Sequence, residues 1–206
     1  MLKHALIAST LCAGLIAAGS AQAESIFNYT YVELGVSKSS VETIRDVDAE
    51  RSEDDYLGPR LEASYEFDLG GSNWVQDFFV IGQYSYRTQD QDNPGNEFYD
   101  YRLGLGKAVE IYDDADLFFT LGVAGVDSKY VDYDDTGAFA QIGYRTRADA
   151  IELQLGLGRF LYSDLDDVNL LEIGFLYHIN DNIGVGLDIE NTEEDNNFVA
   201  TARYTF

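Results

Sequence analysis

The amino-acid sequence predicts an all-β fold: an antiparallel transmembrane β-barrel of about ten strands, following a cleaved signal peptide. Three features carry the prediction. Ten segments, most near the ~9–11 residues with which tilted strands cross a bilayer, alternate apolar and polar side chains. Fifteen Tyr and twelve Phe stand against two Pro, a composition suited to strands with amphipathic aromatic ends. The connections between segments also alternate in character, the odd-numbered ones acidic and some even-numbered ones tight.

Residues 1–23 read as the signal. Lys3 and His4 form a polar start, Ala5 to Ala18 an apolar stretch, and Ala21-Gln22-Ala23 a small-x-small cleavage pattern before Glu24. The apolar stretch is shorter than the ~20 residues of a spanning helix. Cys12 lies inside it and lacks the small preceding residue of a lipoprotein site, so it is expected to leave with the signal. Residues 24–206 then form one domain without cysteine, which excludes disulfides, thiol catalysis and thiolate-bound metal there. The net charge of −24, one unit more negative without Lys3, opposes nucleic acid as a partner. With 46% hydrophobic residues the chain is no disordered acidic tail.

In order, the first segment, Ile26–Ser37, turns Glu33 and Gly35 inward. The second, Leu57–Asp68, has Leu61, Ala63, Tyr65 and Phe67 facing lipid and Arg60, Glu62 and Glu66 facing the lumen. The third, Phe78–Thr88, places Phe78, Val80, Tyr84 and Tyr86 outward and Arg87 inward. The fourth, Glu97–Ala108, places Tyr99, Tyr101, Leu103 and Leu105 outward, with Asp100 and Arg102 inward. The fifth, Leu117–Val126, is the longest apolar run and is broken by Thr120. The sixth, Gly137–Arg147, turns Arg145 and Arg147 inward, and the seventh, Ala150–Leu161, sets Ile151, Leu153, Leu155 and Leu157 against Glu152. The eighth, Val168–Ile179, contributes Glu172, and the ninth, Ile183–Glu190, contributes Asp188 and Glu190. The tenth, Asn197–Phe206, has Phe198, Ala200, Ala202, Tyr204 and Phe206 on one face and Arg203 on the other. An even number returns the chain to its starting side, as single-chain bacterial barrels require.

Two turns predict register. A two-residue loop at Ala148-Asp149 would set Arg145 opposite Glu152, Gly143 opposite Gln154 and Gln141 opposite Gly156. A three-residue loop at Asn180–Asn182 would set Ile179 opposite Ile183, Tyr177 opposite Val185, Phe175 opposite Leu187 and Glu172 opposite Glu190. The even connections Leu69–Asp77 and Val109–Asp116 are long for such turns.

The inward parity collects an ion-pair network: Glu33, Arg60, Glu62, Arg87, Asp100, Arg102, Arg145, Glu152, Glu172, Asp188, Glu190 and Arg203. Arg suits a water-poor network better than Lys, because its planar fork meets a carboxylate through two bonds. Lys107 and Arg159 share the lipid parity near strand ends, where they can reach phosphates. Gly35, Gly104, Gly106, Gly122, Gly143, Gly156, Gly158, Gly174, Gly184 and Gly186 also point inward and are expected to leave some room. Ten strands lie near the filled end of the barrel range, so the interior is expected to be blocked by side chains, with a narrow wet path as the alternative.

No motif here calls for catalysis, a metal or a cofactor. Gly104-Leu-Gly-Lys107 and Gly156-Leu-Gly-Arg159 lack phosphate-loop spacing and a following helix. His178, alone after residue 23, lies at the wrong strand end for a rim active site and reads as a hydrogen-bonded lumen residue. Asp90-Gln-Asp92-Asn-Pro94-Gly95 begins like a calcium loop, but Pro94 takes a ligand position. The loop carboxylates, among them Asp132, Asp134, Asp135, Asp164, Asp166 and Asp167, suit weak bridging of divalent cations rather than a defined cage.

Tyr29-Thr-Tyr-Val-Glu-Leu-Gly35 and Arg203-Tyr-Thr-Phe206 give residues 24–206 a resemblance to small porin-like Gram-negative outer-membrane β-barrel proteins, the OmpA-type transmembrane barrel superfamily. The resemblance implies residence in the cell outer membrane among lipid and lipopolysaccharide. It also implies a terminal strand, with Tyr204 and Phe206, read by the barrel-assembly machinery. The cell-wall tether of that family is not expected to carry over, and ten strands depart from the eight of the smallest members. A monomer without enzymatic activity is expected, in one of two roles: a structural or surface-interaction barrel with acidic extracellular loops, or a narrow porin-like channel for small solutes.

Overall fold

The structure, a computed structural model, describes residues 27–43, 52–67, 77–89, 97–128, 133–193 and 195–206. The signal at 1–23 with Cys12, the Asp90–Gly95 segment and Asp132 lie outside the described residues. Ten strands form one closed barrel: β1 (Tyr31–Thr43), β2 (Ser52–Phe67), β3 (Phe78–Gln89), β4 (Glu97–Tyr112), β5 (Ala115–Ser128), β6 (Tyr133–Ala148), β7 (Ile151–Tyr162), β8 (Val168–His178), β9 (Ile183–Asn191) and β10 (Asp195–Thr205). Every strand pairs antiparallel with its chain neighbours, and β1 closes the ring on β10, pairing Tyr31 with Thr205 and Val41 with Asp195. Closure leaves no unpaired sheet edge, the condition for backbone to lie in hydrocarbon. Among the described residues no helix is long and apolar enough to cross a membrane; the crossing elements are strands.

The two faces follow the alternation read from sequence. Leu34 (62% exposed), Leu121 (66%) and Leu187 (60%) stand uncovered on the outside, while Glu33, Arg60, Glu62 and Arg145 are buried inside. An apolar belt of this extent would be unfavourable in water and is matched to lipid. Tyr204 and Phe206 meet edge to face on that belt at the end that carries the C-terminus, called here the inner end.

Three local expectations are corrected. First, β1 begins at Tyr31, not Ile26, and Phe27 and Tyr29 leave the ladder to be buried inside the barrel. Second, β4 and β5 are longer than their apolar cores, and the connection between them is a tight turn at Asp113-Asp114. The ladder runs through Val109, paired with Leu117, and absorbs an irregularity between Glu110 and Tyr112. Third, the β6–β7 turn centres on Asp149-Ala150, so that Ala148 faces Ile151, Arg147 faces Glu152, Arg145 faces Gln154, Gly143 faces Gly156 and Gln141 faces Gly158. Asp149 takes φ 53° at the first central position. Primed hairpin turns need a left-handed residue there, which Asp tolerates and Ala148 would adopt only with strain. The slip of two residues keeps every side chain on its predicted face. At Asn180–Asn182 the predicted register is the observed one: Tyr177 faces Val185, Phe175 faces Leu187, and the Ile179 N–H donates to the Ile183 carbonyl at 2.8 Å.

Four of the ten inward glycines make room for rings: Gly104 and Gly122 for Phe139, Gly106 for Phe79 and Gly143 for Phe118. A Cβ at Gly106 would lie 2.1 Å from the Phe79 ring, and one at Gly143 would lie 2.0 Å from the Phe118 ring. Gly106→Ala and Gly143→Ala should each destabilise the barrel by about 1–3 kcal/mol through overpacking. Chemical denaturation would measure the loss, and adding Phe79→Leu or Phe118→Leu respectively should recover part of it. Full stability of both glycine variants would refute this packing.

Candidate functional site

The lumen holds the chemistry-bearing residues, arranged from the inner end outward. At the floor, Phe27, Tyr29, Phe79, Ala108 and Phe118 form an apolar cluster with Ile81 against it. Tyr29 stacks on Phe79 with centroids 4.4 Å apart and donates its hydroxyl to Asp116 Oδ2 at 2.8 Å. Arg145 lies over the Tyr29 ring at 4.3 Å. Each fully buried aromatic contributes about 1.5–3 kcal/mol of apolar transfer, so the floor is a substantial part of the interior.

Above the floor, Glu152 gathers three partners. Its Oε1 lies 3.5 Å from both Arg145 Nε and Arg203 Nη1, and its Oε2 lies 3.0 Å from His178 Nε2. Arg145 therefore meets Glu152 on the diagonal, not as a direct cross-strand neighbour, and Arg145 Nη2 also donates to its facing residue Gln154 at 3.1 Å. Arg203 Nε donates to Glu33 Oε2 at 2.8 Å, and its guanidinium lies 4.1 Å over the Tyr31 ring.

The middle layer resolves the like-charge pair. Glu172 does face Glu190 across the β8–β9 ladder. Glu190 takes the cations: Arg60 Nη1 at 3.1 Å and Arg102 Nη2 at 2.6 Å, with Asn197 Nδ2 donating at 3.0 Å. Arg60 Nη2 also donates to Glu62 at 2.9 Å. Glu172 accepts instead from two amides, Gln141 Nε2 at 3.0 Å and Gln154 Nε2. Donors from opposite walls thus divide the two carboxylates between them. Asp188 takes no part in these ion pairs and lines a cavity with Glu33 and Glu172.

Near the outer end, Arg87 Nη2 donates to Asp100 at 2.6 Å, Arg87 Nη1 donates to Asp195 at 2.9 Å, and the guanidinium lies 4.7 Å over Phe98. A second apolar cluster, Ala124, Phe139, Phe160 and Leu170, lines the wall where the Arg102 guanidinium lies 5.6 Å over the Phe160 ring. Cavities of about 20 and 40 Å³ remain among these layers, the larger one lined by Tyr31, Gln83, Arg102, Thr120, Gln141 and Glu172. Each is large enough to hold water, since about 10–15 Å³ of such space accommodates one molecule.

Sequence reading missed Asp116, taken as a connection residue, and Asp195, taken as an acidic loop residue. Both are lumen members, and both depend on partners across the barrel. It also missed the inward rings of Phe79, Phe118, Phe139 and Phe160, although each shares the parity of an inward polar residue on its own strand. At the outer rim, Asp135 is engaged within the chain: its carboxylate accepts the N–H groups of Thr136, Ser163, Asp164 and Leu165 at 2.6–3.3 Å. Asp167 pairs with Arg159 at 2.8 Å and Asp55 with Lys38 at 3.0 Å. Among the described residues no three His, Cys, Asp or Glu side chains form a metal-ligand group.

A family model described as an outer membrane protein beta-barrel domain matches residues 8–206. No curated protein matches the chain. Solved structures of similar fold include a KdgM porin, 12% identical over 85% of this chain and 99% of that one at a TM-score of 0.46. They also include Ail, the attachment invasion locus protein of Yersinia pestis, with 14% identity, coverage of 88% and 100%, and a TM-score of 0.41. A third is Neisserial surface protein A, with 10% identity, coverage of 85% and 96%, and a TM-score of 0.41. The likeness is one of fold alone.

Proposed function

Because the chain belongs to the outer-membrane protein β-barrel family and resides in the outer membrane, we propose that it serves there as a closed, non-enzymatic barrel with a structural or surface-interaction role. The observation that carries this reading is the filling of the lumen. The Arg60–Glu62–Glu190–Arg102 and Glu33–Arg203–Glu152–Arg145 groups span it, and cavities of about 20 and 40 Å³ lie among them. A filled small barrel has little interior to offer a solute, so its contacts with the surroundings fall to its rim and outer wall. His178 supports the non-enzymatic reading, since it is held by Glu152 at the inner end. The acidic rim would meet divalent cations and the lipopolysaccharide they bridge, and the monomer's terminal strand would be taken up by the assembly machinery through Tyr204 and Phe206.

Single-channel recording of the refolded protein in a planar bilayer tests the reading. The expected trace stays at the level of the protein-free membrane over long recordings. A steady ohmic conductance would overturn it in favour of a narrow channel, which would prefer cations because carboxylates outnumber guanidinium groups inside.

A further inference from the structure

The segment before β1 crosses the inner mouth without joining the sheet. The β1 ladder begins at Tyr31, paired with Thr205 on one side and Ser64 on the other. Phe27 and Tyr29 are each 2% exposed, although neither belongs to a strand. From the β1–β10 seam the segment reaches the opposite wall. Tyr29 stacks on Phe79 of β3, bonds to Asp116 of β5 and lies under Arg145 of β6. Its backbone N–H also donates to Glu66 Oε2 at 3.1 Å. At the seam it is tied down: Asn28 Nδ2 donates to the Phe206 carbonyl at 2.7 Å, and the Phe206 N–H donates to the Thr30 carbonyl at 3.1 Å.

We propose that Phe27–Thr30 is a tethered plug, which closes the inner end of the lumen independently of the ion-pair layers above it. Apart from the backbone bond between Phe206 and Thr30 at the seam, the contacts given above all involve a side chain, so Phe27–Tyr29 can leave while all ten strands stay paired. Its slot is shaped for a planar ring, with the Phe79 ring on one face, a guanidinium on the other and a carboxylate at the phenol oxygen. The barrel is then sealed twice in series, and opening either seal alone leaves the other shut. The inference rests on the closed-lumen reading given above, and its test separates the two.

Thr120 faces the larger cavity above the floor and is 3% exposed. In the full chain carrying Cys12→Ser, Thr120→Cys provides a single reporter for a small cationic methanethiosulfonate applied from the inner side. In the parent, labelling should be slow. Phe27→Ala with Tyr29→Ala should accelerate it by on the order of tenfold or more, while heat-modifiable gel migration still reports a folded barrel. Fast labelling in the parent, or equal protection in the folded double variant, would overturn the plug. If the double variant fails to fold, Asn28→Ala is read in its place, since it cuts the tie to Phe206; acceleration supports the plug and unchanged protection overturns it. Conductance of the parent separates the two readings: a non-conducting parent whose protection does not depend on Phe27 and Tyr29 would overturn the plug and keep the closed lumen, whereas a conducting parent would overturn both, since seals in series pass current only when neither is shut.

Discussion

Replacing Arg60 with Met should destabilise the folded barrel by about 3–5 kcal/mol, the cost of leaving buried carboxylates without their cation. Arg60 is 5% exposed and serves two acids at once, Glu62 at 2.9 Å and Glu190 at 3.1 Å. Arg102 still reaches Glu190 at 2.6 Å, so the greater share of the loss falls on Glu62, which keeps only the Tyr31 hydroxyl at 2.7 Å among the bonds described here. Denaturant titration in lipid vesicles would measure the change. Adding Glu62→Gln should return much of the lost stability, because the variant then removes both members of a pair rather than one. A single variant within about 0.5 kcal/mol of the parent would show that these charges are hydrated and that no dry network exists.

Loss of the terminal ring should act on assembly far more than on stability. Tyr204 and Phe206 meet with centroids 5.1 Å apart, and Phe206 is 49% exposed to lipid. An aromatic pair of this kind contributes about 0.5–1.5 kcal/mol beyond its burial, so Phe206→Ala should cost little more than that in the refolded protein. That substitution retains the backbone N–H bonded to Thr30, whereas deletion of Phe206 removes it along with the ring. In cells, both changes should reduce the folded, heat-modifiable protein in the outer membrane to a small fraction of the parent amount. A fall no greater than the loss of stability in vitro would argue against recognition of the terminal aromatic.

Strand number and the facing of side chains were legible in the sequence because each follows from a local rule. A strand alternates its side chains, lipid lies on one side of a barrel wall, and neighbouring residues therefore report the wall they belong to. The rule holds through the β6–β7 hairpin even though its predicted register is two residues off, since a slip of two preserves parity. Turn chemistry was less legible: the choice between Ala148 and Asp149 as the first turn residue depends on which of them accepts a left-handed backbone. The Asn180–Asn182 turn carried its register correctly, and with it the facing of Glu172 and Glu190.

The sequence by itself thus determined a ten-stranded antiparallel barrel, its lipid face and much of the charge turned into its lumen, though not Asp116 or Asp195. Only the tertiary structure decided how those charges are shared: Glu190 on Arg60 and Arg102, Glu172 on two glutamines, Arg87 between Asp100 and Asp195. It alone placed Asp116 under the Tyr29 hydroxyl and turned Phe27 and Tyr29 into the lumen. The physical reason is closure. Alternation sets which wall a side chain leaves, but the partner it meets lies across a ring whose circumference, strand stagger and side-chain reach are properties of the closed barrel, not of any run of neighbouring residues.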